Sequence, residues 1–278
     1  MLEISMDPYL VGGLSWHGIF TALGVAFAVF GTARLARHRG MDPNVVYSCA
    51  AWAVPGGVVG ARLVHVIDAW HFYRDNPADI FFIWNGGVGL WGALLGGTVT
   101  GVTWAILNKQ SVGKLADITA PMMLVAQTVG RVGDVINGEH FSTRTSLPWG
   151  WVHTHPDWPG LNTGRPAVPV SETGSEIAYH PSVGYEMVAD VLLFLVIMRL
   201  IGRVKPDGMV MLIYLGAYSV IRFLVQFTRD DPGRIGALQQ AHVIALLTLA
   251  AVVAFGTFML MRHRAEGPRA PNPPLRSA

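Results

Sequence analysis

The stretch Gln240-Ala-His-Val-Ile-Ala-Leu-Leu-Thr-Leu-Ala-Ala-Val-Val-Ala-Phe-Gly-Thr-Phe-Met-Leu-Met261 decides the fold class. It contains no Asp, Glu, Lys or Arg. A helix needs about 20 predominantly apolar residues to cross the hydrocarbon core of a bilayer, and this stretch is long enough. It therefore predicts a transmembrane helix.

The composition of the whole chain also indicates a membrane protein. Its 278 residues are 51% hydrophobic and only 14% charged, whereas ordinary soluble domains carry about 25% charged residues. The formal net charge of +2, without a long basic face, argues against a nucleic-acid partner. A single cysteine, Cys49, excludes a disulfide framework and a cysteine metal cluster. We expect neither a metal nor a cofactor.

Six further apolar runs have the length of a span, so the sequence predicts an all-α, polytopic membrane protein with about seven transmembrane helices. The predicted spans are residues 15–34, 44–66, 87–107, 116–135, 184–203, 208–228 and 240–261. The fourth span contains Pro121 and ends in a glycine-rich polar stretch. We expect it to be short or re-entrant, beside an internal cavity.

The distribution of the 20 Lys and Arg residues predicts the orientation. Twelve fall on one side of the predicted spans: Arg34, Arg37, Arg39, Lys109, Lys114, Arg199, Arg203, Lys205, Arg262, Arg264, Arg269 and Arg276. Five fall on the other: Arg74, Arg144, Arg165, Arg229 and Arg234. The richer side is expected to be cytoplasmic, which places the amino terminus outside and the carboxyl terminus inside.

One membrane domain accounts for most of the chain. We assign residues 1–262 to a seven-helix membrane domain in which residues 136–183 form an external loop region. Residues 263–278 are charged and rich in proline, which predicts a disordered cytoplasmic tail. Glycine pairs at helical spacing, such as Gly56/Gly60 and Gly92/Gly96, predict closely packed helices.

Arginine inside a span costs a few kcal/mol on insertion scales, so it normally faces a cavity or a partner. Three arginines lie inside or at the edge of spans, namely Arg62, Arg131 and Arg222. Arg131 shares a helix face with Gln127 and Asp134, and pairing with Asp134 is one interpretation of its presence. Arg62 lies near the same level, where its side chain could also extend to the interface.

Arg222 shares a helix face with Tyr218, Gln226 and Arg229. It has no acid within one helical turn, which favours an anionic ligand, because a guanidinium group binds phosphate bidentately. Arg229 precedes Asp230 and Asp231, so it is expected to be an interfacial anchor in a salt bridge. Arginines at membrane level among glycine-packed helices suggest a phospholipid headgroup as the ligand.

The order of the motifs resembles that of the prolipoprotein diacylglyceryl transferase family from about Trp16 to Arg229. The segments that carry the resemblance are Gly60-Ala-Arg62, Trp84-Asn-Gly-Gly-Val-Gly-Leu-Trp91, Gly130-Arg131-Val-Gly-Asp134-Val-Ile-Asn137-Gly138-Glu139, Leu147-Pro148-Trp149-Gly150, His180-Pro181-Ser-Val-Gly-Tyr185-Glu186 and Tyr218 to Arg229. The run from Gly130 to Glu139 is close to the family signature, and its coincidence with the other motifs makes the resemblance specific.

The resemblance implies a bacterial enzyme of the inner membrane. Its reaction would transfer the sn-1,2-diacylglyceryl group from phosphatidylglycerol to the thiol of a lipobox cysteine, which follows the signal peptide of a prolipoprotein. A thioether forms and glycerol 1-phosphate is released. Because the nucleophile belongs to the substrate, Cys49 needs no catalytic role and is expected to pack in the core.

The resemblance also implies a set of site residues. Arg131 and Arg222 match the two critical arginines of the family, and Asn137, Gly138 and Glu139 match its signature. The catalytic candidates are Arg131, Arg222, His17 and Glu139. The substrate-binding candidates are Arg131, Arg222, Asp134, Asn137, Gly138, Trp91 and Arg62.

Four positions depart from the family pattern: His17 replaces a tyrosine, Trp91 a frequent histidine, Asp134 an asparagine and Gln226 a glutamate. Trp91 cannot accept a proton, whereas the substrate thiol must lose one. His17 is our hypothesis for the base, with a hydrogen-bonded interfacial histidine as the alternative. Asp134 is a second candidate base.

Two other functions compete with transfer. The four departures are compatible with a non-catalytic paralogue that binds anionic phospholipid or a lipoprotein. An unrelated seven-span sensor or transporter is disfavoured, because residues 240–261 contain no lysine for a retinal and the chain shows no convincing internal repeat.

Overall fold

Helices dominate the structure, a computed structural model that describes residues 1–11, 13–83, 86–87, 89–138, 142–155, 178–231, 234–236 and 238–266. Within these residues the α-helices are α1 (Trp16–His38), α2 (Pro43–Asp68), α3 (Trp70–Tyr73), α4 (Leu90–Leu107), α5 (Val112–Asn137), α6 (Ser182–Leu200), α7 (Met209–Val225) and α8 (Gln240–Glu266). Two 3₁₀ turns cover Pro77–Phe81 and Gln226–Thr228.

Each of the seven predicted spans corresponds to a long helix, and capping residues set several of the ends. The Ser15 side chain accepts a hydrogen bond from Gly18 N at 3.1 Å where α1 begins, as an N-cap serine does. Asp42 caps α2 in the same way, next to a proline at the first turn. Gly138 ends α5 in the left-handed conformation (φ +62°), which favours glycine.

Helix α5 differs from the expectation of a short or re-entrant segment. It is a continuous helix of 26 residues that runs through Pro121. Pro121 is fully buried, and α5 packs along α1 and α6 on either side. Proline removes one backbone hydrogen bond from a helix; here the packing of neighbouring helices outweighs that loss.

Five of the long helices are long and apolar enough to cross a membrane: α1, α2, α4, α7 with its 3₁₀ extension, and α8. Helices α5 and α6 are distinguished by their charged side chains, which include Asp117, Arg131, Glu186 and Asp190. The protein is therefore an all-α, multi-pass membrane protein whose two most polar long helices carry buried charges.

Two helix pairs form the first half of the bundle, α2 along α4 and α1 along α5. Glycines let α2 and α4 approach closely, since a Cβ added to Gly60 would lie only 3.0 Å from Gly96 Cα. The predicted small-residue pairs are thus used for packing. Cys49 also lies at this contact, where its Sγ is 3.7 Å from Gly101 O.

The second half of the bundle consists of α6 against α5, α7 against α6, and α8 against α7. Leu124, Ile197 and Val210 are fully buried at its centre. Side chains on the outer face of α8, including Leu247 and Phe255, are more than half exposed in the isolated chain. An apolar outer face is what lipid requires.

Short strands cluster at one end of the bundle, which we call the site end. It is the end where α1 and α6 begin and where α5 and α7 finish. Strand β1 (Leu2–Ile4) pairs in parallel with β2 (Trp151–His153). Strand β3 (Arg234–Ile235) pairs antiparallel with β4 (Leu238–Gln239), directly before α8.

Candidate active site

A buried carboxylate, Glu186 of α6, lies at the centre of the polar side chains at the site end. It is fully inaccessible to solvent. Its Oε1 accepts hydrogen bonds from Arg131 Nη2 and, at 2.6 Å, from the Tyr218 hydroxyl. Its Oε2 lies 3.4 Å from Arg222 Nη1 and 3.8 Å from Arg229 Nη1. We call Glu186 and these three arginines the arginine cluster.

Two further acids flank the arginine cluster. Asp134 Oδ2 lies 3.4 Å from Arg131 Nη1, and Asp231 Oδ2 lies 3.7 Å from Arg222 Nη2. A buried carboxylate costs several kcal/mol unless it is paired and hydrogen-bonded. Glu186 meets this requirement because three helices, α5, α6 and α7, each bring part of the cluster to the same end.

The three arginines differ in accessibility. The side chain of Arg131 is 14% exposed and that of Arg222 is 21% exposed, whereas that of Arg229 is 2% exposed. The side chains of Arg131 and Arg222 are therefore partly accessible, whereas that of Arg229 is enclosed. Because each guanidinium carries five N–H donors, Arg131 and Arg222 can hold Glu186 and also bind an anionic group.

Arg222 has acidic partners that the sequence did not predict. No acid lies within one turn on its own helix, but Glu186 approaches it from α6 and Asp231 from beyond the end of α7. Arg229 also differs from the expected interfacial anchor. It forms the expected ion pair, with Nε 3.0 Å from Asp231 Oδ2, but it is buried and also faces Glu186.

Beyond the cluster, buried amide groups connect the end of α7 to β4. Gln226 Nε2 donates to Asp231 Oδ2 at 3.0 Å and to the side chain of Gln239. Gln239 Nε2 donates to Arg229 O at 2.8 Å. Although burial favours the protonated form, the Arg229 guanidinium and these hydrogen bonds hold the pKa of Asp231 below its usual range. Asp231 therefore remains a charged partner of the arginines.

His17 lies in the first turn of α1 and contacts the same site. Its Nδ1 is 2.7 Å from Asp134 Oδ1. The His17 side chain is 40% exposed and the Asp134 side chain is 9% exposed. The approach of the two helices depends on Gly133, where a Cβ would lie 2.6 Å from His17 Cα. His17 and Asp134, both of which are site candidates from the sequence, are therefore in direct contact.

Arg62 is engaged in a different way. It is 7% exposed, and its Nε donates to Ile80 O at 2.8 Å. Its other nitrogens donate to the carbonyl oxygens of Asp79, Phe82, Gly86 and Gly87. Its guanidinium also lies over the Tyr73 ring, 5.1 Å from the centroid. The side chain points neither to the interface nor to the arginine cluster, because backbone carbonyls hold it.

The remaining sequence candidates lie in different surroundings. Trp91 is 49% exposed in the first turn of α4, which packs along α2. Asn137 is buried at the end of α5, next to the capping Gly138. Glu139 lies outside the residues that the structure describes.

Glu186 is the central residue that sequence reasoning left without a role. In the sequence it is only the last residue of the motif His180 to Glu186, and the site was predicted from the arginines inside spans. An acid in an apolar helical run is an equally strong signal, because intramembrane ionisable residues normally have a function. Glu186 and Asp190, one turn apart on α6, both meet that criterion and are both fully buried.

The fold and the cluster define a class: a multi-pass membrane protein with two accessible arginines at a buried carboxylate. The model of the family described as prolipoprotein diacylglyceryl transferase matches residues 10–259. The chain belongs to this family.

Bacterial relatives named phosphatidylglycerol–prolipoprotein diacylglyceryl transferase match nearly the whole chain. The protein of Thermosynechococcus vestitus is 30% identical over 93% of this chain and 92% of its own length. That of Synechococcus elongatus is 32% identical over 88% of this chain and 85% of its own. That of Listeria innocua is 31% identical over 95% of this chain and 92% of its own.

Proposed function

We propose that the protein transfers the sn-1,2-diacylglyceryl group of phosphatidylglycerol to the lipobox cysteine thiol of a prolipoprotein. The products are a thioether and glycerol 1-phosphate. The observation that carries the proposal is the accessible pair Arg131 and Arg222, both of which face Glu186 at the site end. Family membership over residues 10–259 supports the same reaction.

The chemistry requires stabilisation of a leaving phosphate. The substrate sulfur attacks a glycerol carbon, the carbon–oxygen bond breaks, and its electron pair stays on the phosphate oxygen. Donors already oriented towards that oxygen lower the barrier most. Arg131 and Arg222 each lie against a different oxygen of one carboxylate. Their spacing therefore suits two oxygens of one phosphate group, which guanidinium binds through paired N–H donors.

Most of the other site candidates from the sequence are retained, and one is not. Asn137 and Gly138 follow Arg131 at the end of α5, and we retain them as substrate-binding candidates with Glu139 as a catalytic candidate. Trp91 remains a candidate contact to substrate. Arg62 is not included in our phosphate site, because five backbone carbonyls already accept its hydrogen bonds.

We further propose that all seven long helices cross the bacterial inner membrane. The amino terminus would then be outside and the site end would face the external side, where prolipoproteins arrive. Helices α5 and α6 would cross with their charges facing the interior of the bundle, as intramembrane charges do. Residues 1–262 would form the catalytic domain and 263–278 a cytoplasmic tail; α8 itself extends to Glu266.

The test is mass spectrometry of a lipobox peptide incubated with purified protein in phosphatidylglycerol micelles. We expect a diacylglyceryl thioether on the peptide cysteine with the wild-type protein. Arg222→Ala should lower its formation by about 10²–10³-fold or more, because a desolvated contact to the phosphate is lost. Arg74→Ala is the matched control, since Arg74 is exposed and pairs only with a neighbouring surface acid among the described ion pairs.

An unmodified peptide would contradict the proposal. If phosphatidylglycerol still bound to the wild-type protein and binding required Arg222, the result would favour the non-catalytic paralogue. Equal activity in Arg222→Ala and Arg74→Ala would show that the arginine cluster is not the site of transfer.

A further inference from the structure

His17 and Asp134 form a hydrogen-bonded pair between two helices. Nδ1 of His17 lies 2.7 Å from Oδ1 of Asp134. The two residues come from opposite ends of their helices, the start of α1 and the last turns of α5. The backbone of α1 rests against Gly133, where a Cβ would lie 2.6 Å from His17 Cα. The position of the imidazole is thus determined by helix packing.

The Asp134 carboxylate is held from two sides. Oδ1 faces His17, while Oδ2 lies 3.4 Å from Arg131 Nη1. The contact with Arg131 favours the ionised form of Asp134. An ionised carboxylate accepts hydrogen bonds but does not donate them, which assigns the hydrogen in this contact to Nδ1 of His17. In the neutral imidazole the lone pair then lies on Nε2. Asp134 therefore determines which nitrogen is basic.

The two members of the pair differ in exposure. The Asp134 side chain is 9% exposed and the His17 side chain is 40% exposed. An enclosed carboxylate behind an accessible imidazole is the arrangement in which a histidine exchanges protons with a substrate and the acid orients it. Among the residues that the structure describes, the charged groups that face the pair include Arg131 on α5 and, beyond it, Glu186 on α6.

We propose that His17 accepts the proton of the substrate thiol and that Asp134 is the positioning residue that orients His17. This inference rests on the proposed function. The S–H bond breaks and the proton moves to Nε2 of His17. The sulfur forms its bond to the glycerol carbon, and the carbon–oxygen bond electrons leave with glycerol 1-phosphate. The imidazolium then returns its proton to water.

Asp134 contributes in two ways to this step. Its negative charge stabilises the imidazolium that forms when the proton arrives. Its second oxygen contacts Arg131, so the proton acceptor and one of the phosphate-binding arginines share a single carboxylate. The pair is therefore linked to the leaving-group site through Asp134. A histidine that only anchors the helix end would not need a carboxylate that is shared with a phosphate-binding arginine.

The first experiment measures the rate of thioether formation against pH for the wild type, His17→Gln, Asp134→Asn and the double variant. The wild-type rate should fall in acid as His17 becomes protonated. His17→Gln should lower the plateau rate by about 10²-fold or more, because general base catalysis contributes about 10²–10⁴-fold. It should also abolish the acid limb. His71→Gln, an exposed histidine of α3, is the control and should match the wild type.

The Asp134→Asn variant distinguishes a role of Asp134 in orienting His17 from a role in stabilising the fold alone. Without the carboxylate the imidazolium is less favoured, so the acid limb should move to lower pH while the plateau falls. The double variant should lose less than the product of the two single losses, because the part of the Asp134 contribution that orients His17 acts through the imidazole, whereas its contact with Arg131 does not. A wild-type rate and acid limb in His17→Gln would overturn the inference. Independent, multiplying losses in the double variant would overturn the positioning role.

A second experiment does not depend on transfer activity. Diethyl pyrocarbonate acylates neutral imidazole, so mass spectrometry of the His17 peptide across pH reports the titration of His17. The labelling midpoint should move to lower pH in Asp134→Asn, and an unchanged midpoint would show that the two groups are not coupled. If the midpoint moves but the wild type forms no thioether, the proposed function and the proton transfer fail together while the pair itself is confirmed.

Discussion

Two sites in this molecule bury arginine, and they do so for different purposes. Arg62 of α2 donates to five backbone carbonyls in the segment before α4 and is 7% exposed. Arg131 and Arg222, between α5, α6 and α7, face the carboxylate of Glu186 and keep 14% and 21% of their side chains exposed. From their positions inside spans alone, all three arginines would be equally good candidates for a functional role.

The comparison shows that the partner atoms, more than burial, separate a structural arginine from a ligand-binding one. Carbonyl groups accept hydrogen bonds from all three guanidinium nitrogens of Arg62. These bonds hold the loop around Gly86 and Gly87, both of which have positive φ. Carboxylates instead balance the charge of Arg131 and Arg222 while leaving donors within reach of an incoming anion. Substitutions at the two sites should therefore have different consequences for activity and stability.

Arg222→Lys should lower the rate of transfer by about 10²–10³-fold, although the charge is kept. A lysine ammonium is a point charge that cannot hold Glu186 and bind a phosphate through paired donors. The measurement is the initial rate of thioether formation at saturating phosphatidylglycerol. A rate within threefold of wild type would mean that only the charge matters at this position.

Glu186→Gln should destabilise the arginine cluster by about 3–5 kcal/mol, because breaking a buried ion pair leaves uncompensated charge. Three guanidinium groups would then face one another around a neutral amide. Unfolding by denaturant in detergent, followed by tryptophan fluorescence, measures the change. Unaltered stability would show that Asp134 and Asp231 alone can balance the three arginines. Exposed Glu3, replaced by Gln, provides the matched control.

Arg62→Lys should lower stability by about 1–3 kcal/mol while leaving the transfer rate per folded molecule unchanged. A lysine cannot serve five carbonyl groups, and an unsatisfied buried acceptor costs about 1–3 kcal/mol. Thermal unfolding and the transfer assay are run on the same preparation. A rate loss without a stability loss would show that Arg62 belongs to the substrate site.

Acid should lower the stability of the site around Asp231 more than that of the site around Arg62. This effect should be smaller than those of the substitutions. The pKa of Asp231 lies below its usual range because Arg229 and Gln226 hold the charged form against the cost of burial. A lowered folded-state pKa gives stability that is full above the unfolded-state pKa, near 3.9, and is lost as the pH falls through the folded-state value. The carbonyl groups around Arg62 do not titrate, so that site should keep its stability.

Hydrogen exchange from pH 6 to pH 3 measures this difference, after correction for the intrinsic exchange rate. Below about pH 4 the end of α7 and β4 should lose protection, by an amount equivalent to about 1 kcal/mol or less. Residues 79–82, which surround Arg62, should keep their protection from exchange. In Asp231→Asn the acid-dependent loss at α7 should disappear. Equal loss of protection at both sites would indicate general unfolding in place of a titrating ion pair.

Much of the fold followed from local features of the chain. Apolar runs predicted all seven long helices, and residues such as Ser15 and Gly138 mark where helices begin and end. The prediction of a short fourth span was wrong because Pro121 was judged by its backbone alone. Only the packing of α1 and α6 around α5 shows that the helix continues.

The candidate site was predicted in part. Arg131, Arg222, His17 and Asp134 were named from the sequence, and the fold brings all four to the site end. Glu186 was not assigned, because its partners are 55 and 36 residues away along the chain. Helical periodicity relates residues three or four positions apart, so it carries no information about such pairs.

The membrane class, the number of long helices, the family and the polar faces of α5 and α7 can all be predicted from the sequence. Each of these depends on composition, spacing or motifs, which are local properties of the chain. The tertiary structure alone decided that Arg62 is held by carbonyl groups, that three arginines meet at Glu186, and that His17 contacts Asp134. The free energy of a buried charge depends on the atoms around it, and those atoms come from helices distant in sequence.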